Sequence, residues 1–238
     1  DLVVATSPEY LRSSTVLGRL STPVTVIPNG VDERAYPQPA PQAIERWRDR
    51  LGDGFFLFVG VLRYYKGLHV LVEAARNFPG RIVIAGEGPE RASIEQQVRS
   101  LGLQESVHLL GRISDEDKMC LLQLCRAFTF PSHLRSEAFG MSLVEAAMCG
   151  KPMISCSIGT GTSFINLNDQ TGYVVEPEDP QAFQAAMLRL HQSPSLAATL
   201  GAQARTHYES LFTASAMAGA YLQAYRQVLT VPTPADRH

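Results

Sequence analysis

The sequence predicts a doubly wound α/β domain, in which a parallel sheet is covered by helices on both faces. Two observations lead to this class. Short apolar segments alternate along the chain with amphipathic segments, which is the pattern of repeated β–α–β units. The apolar segments also lack a polar face, as expected of strands that are buried on both sides of a parallel sheet.

The individual elements follow from this alternation. The strand-like runs are 2–6, 24–27, 55–60, 81–86, 107–111, 127–130, 152–155 and 172–175. The segments between and after them predict helices at 8–18, 41–51, 67–77, 89–101, 115–125, 140–149, 180–192, 195–209 and 213–229. The last two helices have no further strand to follow, so we expect them to pack across the back of a Rossmann-like sheet.

A proline-rich stretch divides the chain. Residues 27–42 carry four prolines and an Asn-Gly turn, which is typical of a connector, and we place the connector at 28–42. Because Asp1 opens directly into an apolar strand, we expect 1–27 to be the last strand and helix of a mostly absent preceding domain. The main domain would then span 43–230, and the polar tail 231–238 is predicted to be disordered.

Composition excludes several classes of function. The 238 residues are 45% hydrophobic and 18% charged, with a formal net charge of −2, which does not suggest a nucleic-acid-binding protein. No apolar run approaches the roughly 18 residues that span a bilayer, and the N-terminus lacks a signal-peptide pattern. The four cysteines show no Cys-x-x-Cys spacing, so we expect reduced core residues of a cytoplasmic protein.

In an open parallel sheet the ligand binds at the C-terminal ends of the strands, so residues directly after each strand are candidates. Gly60 ends the strand 55–60, and Arg63 and Lys66 precede the next helix. Cations in such a turn are well placed to meet a phosphate at a helix N-terminus. A solvated loop that carries a lysine and an arginine by chance is an equal alternative.

Two glycines follow the strand 81–86. Gly86 and Gly88 permit a tight turn with positive φ before a helix that begins near Pro89. The spacing G-x-G-x-x-R lacks the last glycine of the dinucleotide fingerprint, which argues against an NAD site. Ordinary turn chemistry is the better explanation of these glycines.

The acidic run Asp115-Glu116-Asp117 resembles a metal motif but is explained better as a helix start. Ser114 is a natural N-cap, and acids in the first turn suit the helix dipole. We therefore predict no metal there. The backbone just before it, at Arg112 and Ile113, could instead face a ligand base, and the Gly/Ser/Thr-rich loop 156–166 is predicted to face a ligand.

Glu137 and Glu145 flank a glycine-containing apolar run. Glu137 falls in a strand-to-helix loop, and Gly140 removes a side chain where something comes close. Glu145 lies in a mostly buried helix, where an unpaired charge is costly. Its partner is either a vicinal diol such as that of ribose or a buried ion pair with Lys151 or an arginine. The spacing alone does not choose between them.

Four stretches together carry a family resemblance. They are GVLRYYKG, IAGEGPE, PSHLRSEAFGMSLVEAAMCGKPMISC and TGYVVEPEDP. In this order they resemble the C-terminal, donor-binding half of retaining GT-B glycosyltransferases of glycosyltransferase family 4, over about residues 24 to 190. Glu137-x7-Glu145 matches the family's E-x7-E motif, and VIPNGVD (26–32) resembles its interdomain connector.

The resemblance implies specific roles. Glu145 would accept from the ribose hydroxyls of a nucleotide sugar, Glu137 would lie against the donor sugar, and Lys66 would neutralise the diphosphate. Main-chain groups of Arg112 and Ile113 would flank the base. Backbone amides of the helix start would meet sugar hydroxyls and phosphate; they belong to Phe139, Gly140, Met141 and Ser142.

The chain departs from the family pattern in two places. Members often carry an arginine right after the strand-end glycine; Val61 stands there, and we predict that Arg63 makes the phosphate contact instead. The loop IGTGTSFIN replaces a Gly-Gly-x-x-Glu stretch, a variant similar to mannosyl- and deoxyhexosyltransferases of bacterial surface-polysaccharide assembly. This implies a GDP-mannose-like donor, with UDP-sugars as the alternative.

The family further implies a glycan or lipid-linked acceptor, no essential metal and no other cofactor. It implies a cytoplasmic enzyme that can lie at the inner face of the membrane. The fragment alone is expected to bind donor but not to transfer sugar. Two other functions remain open: a GT-B epimerase acting on UDP-sugars, and a nucleotide-binding regulatory domain without catalysis.

Overall fold

A computed structural model describes residues 1–230, and the tail 231–238, predicted to be disordered, lies outside these residues. The strands are β1 (Val3–Ala5), β2 (Val24–Val26), β3 (Phe56–Val59), β4 (Ile82–Ala85), β5 (Val107–Gly111), β6 (Ala127–Phe130), β7 (Met153–Cys156) and β8 (Gly172–Val175). The helices are α1 (Pro8–Ser13), α2 (Pro41–Leu51), α3 (Leu68–Ala74), α4 (Arg91–Ser100), α5 (Asp115–Leu124), α6 (Met141–Met148), α7 (Thr162–Ile165), α8 (Pro180–Gln192), α9 (Pro194–Leu211) and α10 (Ala214–Thr230).

The main sheet has six parallel strands in the order β5-β4-β3-β6-β7-β8. This confirms the predicted doubly wound α/β class. The strand order reverses direction between β3 and β6, so the chain winds outward from the middle of the sheet in both directions. β1 and β2 pair with each other in a separate two-stranded parallel sheet.

Both faces of the main sheet are buried, because alternate strand residues point to opposite sides. On β3, Leu57 packs into one hydrophobic cluster with residues of α2, α5 and α6, whereas Phe56 and Phe58 pack into the other with residues of α3, α4 and α8. β4 divides its residues in the same way. This two-sided burial explains why the strands read as continuous apolar runs.

The predicted helix ends differ from the observed ones in a few places. The segment predicted as one helix over 8–18 is α1 followed by a short 3-10 turn, Leu17–Arg19. α3 ends at Ala74 rather than at 77, and Asn77 has a φ of 60°, a left-handed conformation that ends helices. The loop 156–166 contains the short helix α7, which was not predicted.

The connector predicted at 28–42 packs against the C-terminal helices. The Val31 amide donates to the carbonyl of Phe212 (2.9 Å), and the Ala214 amide donates back to the carbonyl of Val31 (2.9 Å). The Glu33 carboxylate pairs with Arg205 of α9 at 2.7 Å. Within residues 1–230, no helix combines the length and the apolar character needed to cross a membrane.

We expect the four thiols of the folded protein to react slowly with iodoacetamide at neutral pH. The thiolate is the reactive form, and burial raises the pKa of all four thiols. The pKa rises to about 11 for Cys125 and to about 12 for Cys149 and Cys156, and that of Cys120 is raised as well. Mass spectrometry after timed alkylation checks this, with denatured protein as the control. A thiol that reacts equally fast in both samples would contradict the expectation.

Candidate functional site

The crevice of a doubly wound sheet lies where the strand order reverses, which here is between β3 and β6. Lys66 and Glu137 come from the loops that follow these two strands. The Lys66 ammonium contacts the Oε2 atom of Glu137, and each side chain is only 11% exposed. The sequence proposed both residues separately as ligand-facing groups, and the structure brings them together as one ion pair.

The surroundings of this pair are mixed in character. Ser132 donates its hydroxyl to Oε2 of Glu137 at 3.3 Å, and the Lys66 ammonium lies 4.9 Å from the ring centroid of Phe130. A lysine and a glutamate this buried need each other, because either charge alone would be costly to keep out of water. The Lys66 ammonium is therefore a buried positive charge whose counter-charge is the neighbouring Glu137 carboxylate.

Glu145 on α6 is also paired. Its Oε1 atom accepts from the Lys118 ammonium at 2.9 Å and from the Tyr36 hydroxyl at 3.0 Å. The ion-pair alternative is therefore present, but the partner predicted for it was wrong. Lys151 instead donates to the carbonyls of Gln123 and Cys125.

The other carboxylate oxygen of Glu145, Oε2, makes no hydrogen bond with any residue in 1–230. Burial lowers the pKa of Lys118, but its hydrogen bonds and charge attraction with Glu145 and Asp115 outweigh this effect and raise that pKa overall. Burial and Glu145 raise the pKa of Tyr36. Lys118 and Tyr36 thus stay protonated and hold one carboxylate oxygen, which leaves the other available to a ligand hydroxyl.

A hollow of about 290 Å³ opens at the C-terminal ends of β3, β4 and β5. Gly60, Gly86, Arg112 and Ile113 line it, as the sequence proposed for a ligand-facing edge. Lys118 lines it as well, and the ammonium group of this lysine contacts Glu145. Gly88, Lys66, Glu137 and the start of α6 are not among its lining residues.

Gly86 and Gly88 bring two loops into close contact. At Gly86, with a φ of 142°, an added Cβ would lie 1.9 Å from the Gly60 carbonyl oxygen; at Gly88 it would lie 2.4 Å from that of Leu62. The Leu62 amide also donates to the Glu87 carbonyl at 2.9 Å. The prediction of positive φ is correct for Gly86 and wrong for Gly88, and α4 begins two residues after Pro89.

The start of α6 presents free backbone amides. Gly140 precedes the helix with a φ of 101°, a backbone conformation that favours glycine. The glycine is therefore needed for the backbone conformation, whereas the sequence predicted only that it lets a ligand come close. The Phe139 side chain packs in the core beside Phe212. At this helix start, as expected of a helix N-terminus, four backbone amides donate to no acceptor within residues 1–230; they belong to Phe139, Gly140, Met141 and Ser142.

The structure tests the prediction for the acidic run 115–117 but not the prediction for Arg63. Ser114 caps α5 by accepting from the Asp117 amide at 3.0 Å, which confirms the helix-start interpretation of the acidic run. Asp117 also accepts from the indole of Trp47 at 2.7 Å. Arg63 is exposed, and its guanidinium makes no hydrogen bond or ion pair with any residue in 1–230, so its phosphate role stays a prediction.

The family model for glycosyl transferases group 1 matches residues 41–207. The chain belongs to this family. Among its relatives, the D-rhamnosyltransferase WbpZ of Pseudomonas aeruginosa is 53% identical over 214 residues, which are 90% of this chain and 56% of that protein. The O-antigen chain mannosyltransferase C of Escherichia coli is 44% identical over 229 residues, 96% of this chain and 61% of the relative.

Solved structures agree with this glycosyltransferase family. Sucrose-phosphate synthase from Thermosynechococcus elongatus matches 98% of this chain and 59% of its own, with a TM-score of 0.84 and 29% identity. Anabaena HepE in complex with UDP matches 95% of this chain and 64% of its own, with a TM-score of 0.84 and 23% identity. The fold is that of the C-terminal half of a GT-B glycosyltransferase, as predicted, and the chain spans less than two thirds of these relatives.

The sequence analysis did not identify two residues of the glycosyltransferase site, Lys118 and Tyr36. Lys118 follows Asp115 by three positions on one helix face, and this spacing after a strand end was a usable signal for a cation at the crevice. Tyr36 lies in the connector, and nothing in the local pattern links it to Glu145, which is 109 residues away. Tyr36 was missed because only the tertiary fold brings it to α6.

Proposed function

We propose that this chain is the donor-binding domain of a retaining hexosyltransferase. It would serve the transfer of a hexosyl group from a nucleotide sugar to a glycan or lipid-linked acceptor in bacterial surface-polysaccharide synthesis. The observation that carries the proposal is the buried Lys66–Glu137 pair at the reversal point of the sheet. The rhamnosyl- and mannosyltransferase relatives favour a GDP-mannose-like donor over a UDP-sugar.

The proposed chemistry is stabilisation of a leaving group. Negative charge grows on the nucleotide diphosphate as the glycosidic bond breaks, and donors already aimed at that charge lower the barrier. In this proposal Lys66 and Arg63 face the diphosphate, and Glu137 lies against the donor sugar while compensating Lys66. The free amides at 139–142 add hydrogen-bond donors at the positive end of α6. Transfer needs no metal in this scheme.

The nucleoside half would occupy the hollow beside β3, β4 and β5. The base is proposed to meet the main chain of Arg112 and Ile113 beside Gly60 and Gly86, which also line the hollow. Gly88 would support this edge indirectly, by letting the segment of Leu62 pack closely against it. Glu145 would accept from the ribose diol with Oε2, while Lys118 and Tyr36 hold Oε1. These roles are supported by the lining of the hollow and by the hydrogen bonds of Glu145.

The acceptor site belongs to the rest of the enzyme in this proposal. The chain spans 56% and 61% of its two relatives, so we expect the fragment to bind donor without transferring sugar. The proposed location of the full enzyme is the cytoplasm, at the inner face of the membrane, where it would meet a lipid-linked acceptor.

Isothermal titration of the fragment with GDP, GDP-mannose, UDP and UDP-glucose tests the donor assignment. We expect GDP and GDP-mannose to bind at least about ten-fold more tightly than their uridine counterparts, a difference of about 1.4 kcal/mol. Tighter binding of the uridine ligands would move the donor class to UDP-sugars. Failure of all four ligands to bind would refute the proposed function.

A further inference from the structure

Three metal-ligating side chains converge beside the crevice and have no part in the function proposed above. His69 comes from α3, His133 from the loop after β6, and Glu178 from the loop between β8 and α8. One ligand atom from each lies within 4.8 Å of the others. His133 is buried, His69 is half-buried, and the Glu178 side chain is 63% exposed, so the cluster is rigid on one side and open to solvent on the other.

Each ring nitrogen of His133 lies against an oxygen atom of another residue. The Nε2 atom lies 3.1 Å from the carbonyl oxygen of Tyr64, which can only accept, so Nε2 carries a proton. The Nδ1 atom lies 3.0 Å from Oε1 of Glu178, which is a second acceptor when ionised. A neutral ring with its proton on Nε2 would therefore point a lone pair at a carboxylate, unless a proton or a metal ion lies between them.

His69 offers a further lone pair at the same point. Its ring stacks on Tyr64, with centroids 5.5 Å apart and planes 3° apart, and the His69 and His133 rings meet edge-on at 5.1 Å. The two imidazoles are thus held in fixed orientations before any ion binds.

We propose that His69, His133 and Glu178 bind a divalent transition metal ion of the zinc class. Two imidazoles and one carboxylate with an open fourth position form a known zinc ligand set. Zinc bonds of about 2.0–2.2 Å separate neighbouring tetrahedral ligands by about 3.3–3.6 Å. This lies between the 3.0 Å from Nδ1 to Oε1 and the 4.8 Å within which all three ligand atoms are found. The hydrogen bond from Nε2 to a backbone carbonyl is the contact that usually orients a metal-binding histidine.

The competing arrangement uses a proton in place of the metal. A doubly protonated His133 would donate to both Tyr64 and Glu178, and His69 would then be a bystander. The two arrangements differ in one measurable respect, because only the metal site makes all three side chains necessary for a single binding event.

A bound ion would join helix α3 and two loops at the edge of the crevice. Tyr64 and His133 lie two and four residues before Lys66 and Glu137, so the ion would hold the segments that carry this pair. Its role is to position these segments, and it takes no part in bond cleavage. The metal site does not depend on the proposed sugar transfer, since the ligands bind the ion without any nucleotide.

The test is a titration of untagged, chelator-treated protein 1–238 with Zn²⁺, and with Co²⁺ to read the coordination from its visible spectrum. We expect one equivalent to bind and to raise Tm. Glu178→Gln should weaken binding by at least about ten-fold, and His69→Gln by at least as much. The matched control is His108→Gln, on β5 and outside the cluster, which should bind as the unaltered protein does.

Absence of stoichiometric binding to the unaltered protein would overturn the proposal. So would binding that survives both Glu178→Gln and His69→Gln unchanged, since that would locate the ion elsewhere. Because Glu178 is largely exposed, its substitution keeps the fold, which circular dichroism verifies. Nucleotide titrations of the same samples separate this result from the donor assignment, since each ligand can bind in the absence of the other.

Discussion

Lys66→Met is expected to lower the free energy of unfolding by about 3 kcal/mol and to weaken GDP binding by at least about ten-fold. Removing one partner of a buried ion pair typically costs about 3–5 kcal/mol, because the other charge stays buried without compensation. We expect the lower end of that range, since each side chain of the Lys66–Glu137 pair is 11% exposed. Urea unfolding and isothermal titration measure the two effects separately.

The double variant Lys66→Met/Glu137→Gln separates stability from function. It leaves no buried charge unpaired, and replacing both members of such a pair by neutral groups is often close to neutral. We therefore expect most of the lost stability to return, while GDP binding stays weak because the cation is still missing. A charge-assisted hydrogen bond contributes about 1.5–3 kcal/mol, which corresponds to at least about ten-fold in affinity.

Lys151→Met is the matched control for Lys66→Met. The Lys151 ammonium likewise has hydrogen-bond partners within the protein, but these are the carbonyls of Gln123 and Cys125, outside the crevice. Its substitution should leave the affinity for GDP unchanged. Normal GDP affinity in the Lys66→Met/Glu137→Gln variant would refute the diphosphate role of Lys66. Unchanged stability in Lys66→Met would show that the ion pair contributes nothing to folding.

Most of the fold was predictable because burial acts on local sequence. Strands β3 and β4 are buried on both faces, so their segments had to be apolar throughout, and their observed bounds lie within one residue of the predicted ones. Helix ends were less predictable, since they depend on backbone conformation. α3 ends before Asn77, which has a positive φ. The residue types in this segment did not predict that backbone conformation.

The sequence could predict which loops carry the residues of the candidate site, but not which of these residues contact each other. The rule that ligands meet the C-terminal ends of parallel strands found the loops of Lys66 and Glu137. It could not show that the two side chains pair with each other, because 71 residues separate them. The same limit applies to the three-way contact of Glu145 with Lys118 and Tyr36, in which each member comes from a different part of the chain.

Glu145→Gln is expected to weaken the binding of GDP by at least about ten-fold, with little effect on 2′,3′-dideoxy-GDP. A carboxylate that accepts from both ribose hydroxyls loses charge-assisted hydrogen bonds when it becomes an amide, at about 1.5–3 kcal/mol for each bond. The dideoxy ligand cannot make those bonds with either protein. The binding free energies of the two proteins for the two ligands therefore form a double-mutant cycle, whose coupling energy isolates the contact between residue 145 and the ribose hydroxyls. Isothermal titration of the four protein–ligand combinations measures this coupling energy.

Tyr36→Phe provides the comparison that distinguishes a ribose contact from a structural ion pair. It removes one of the two hydrogen bonds to Oε1 of Glu145 and keeps the aromatic ring, over which the Lys118 ammonium lies at 5.1 Å. We expect a small loss of stability, about 1 kcal/mol, and a GDP affinity within about three-fold of the original. If Glu145 served only its ion pair with Lys118, then Glu145→Gln would weaken both ligands equally, and the energetic coupling between residue 145 and the diol would be zero.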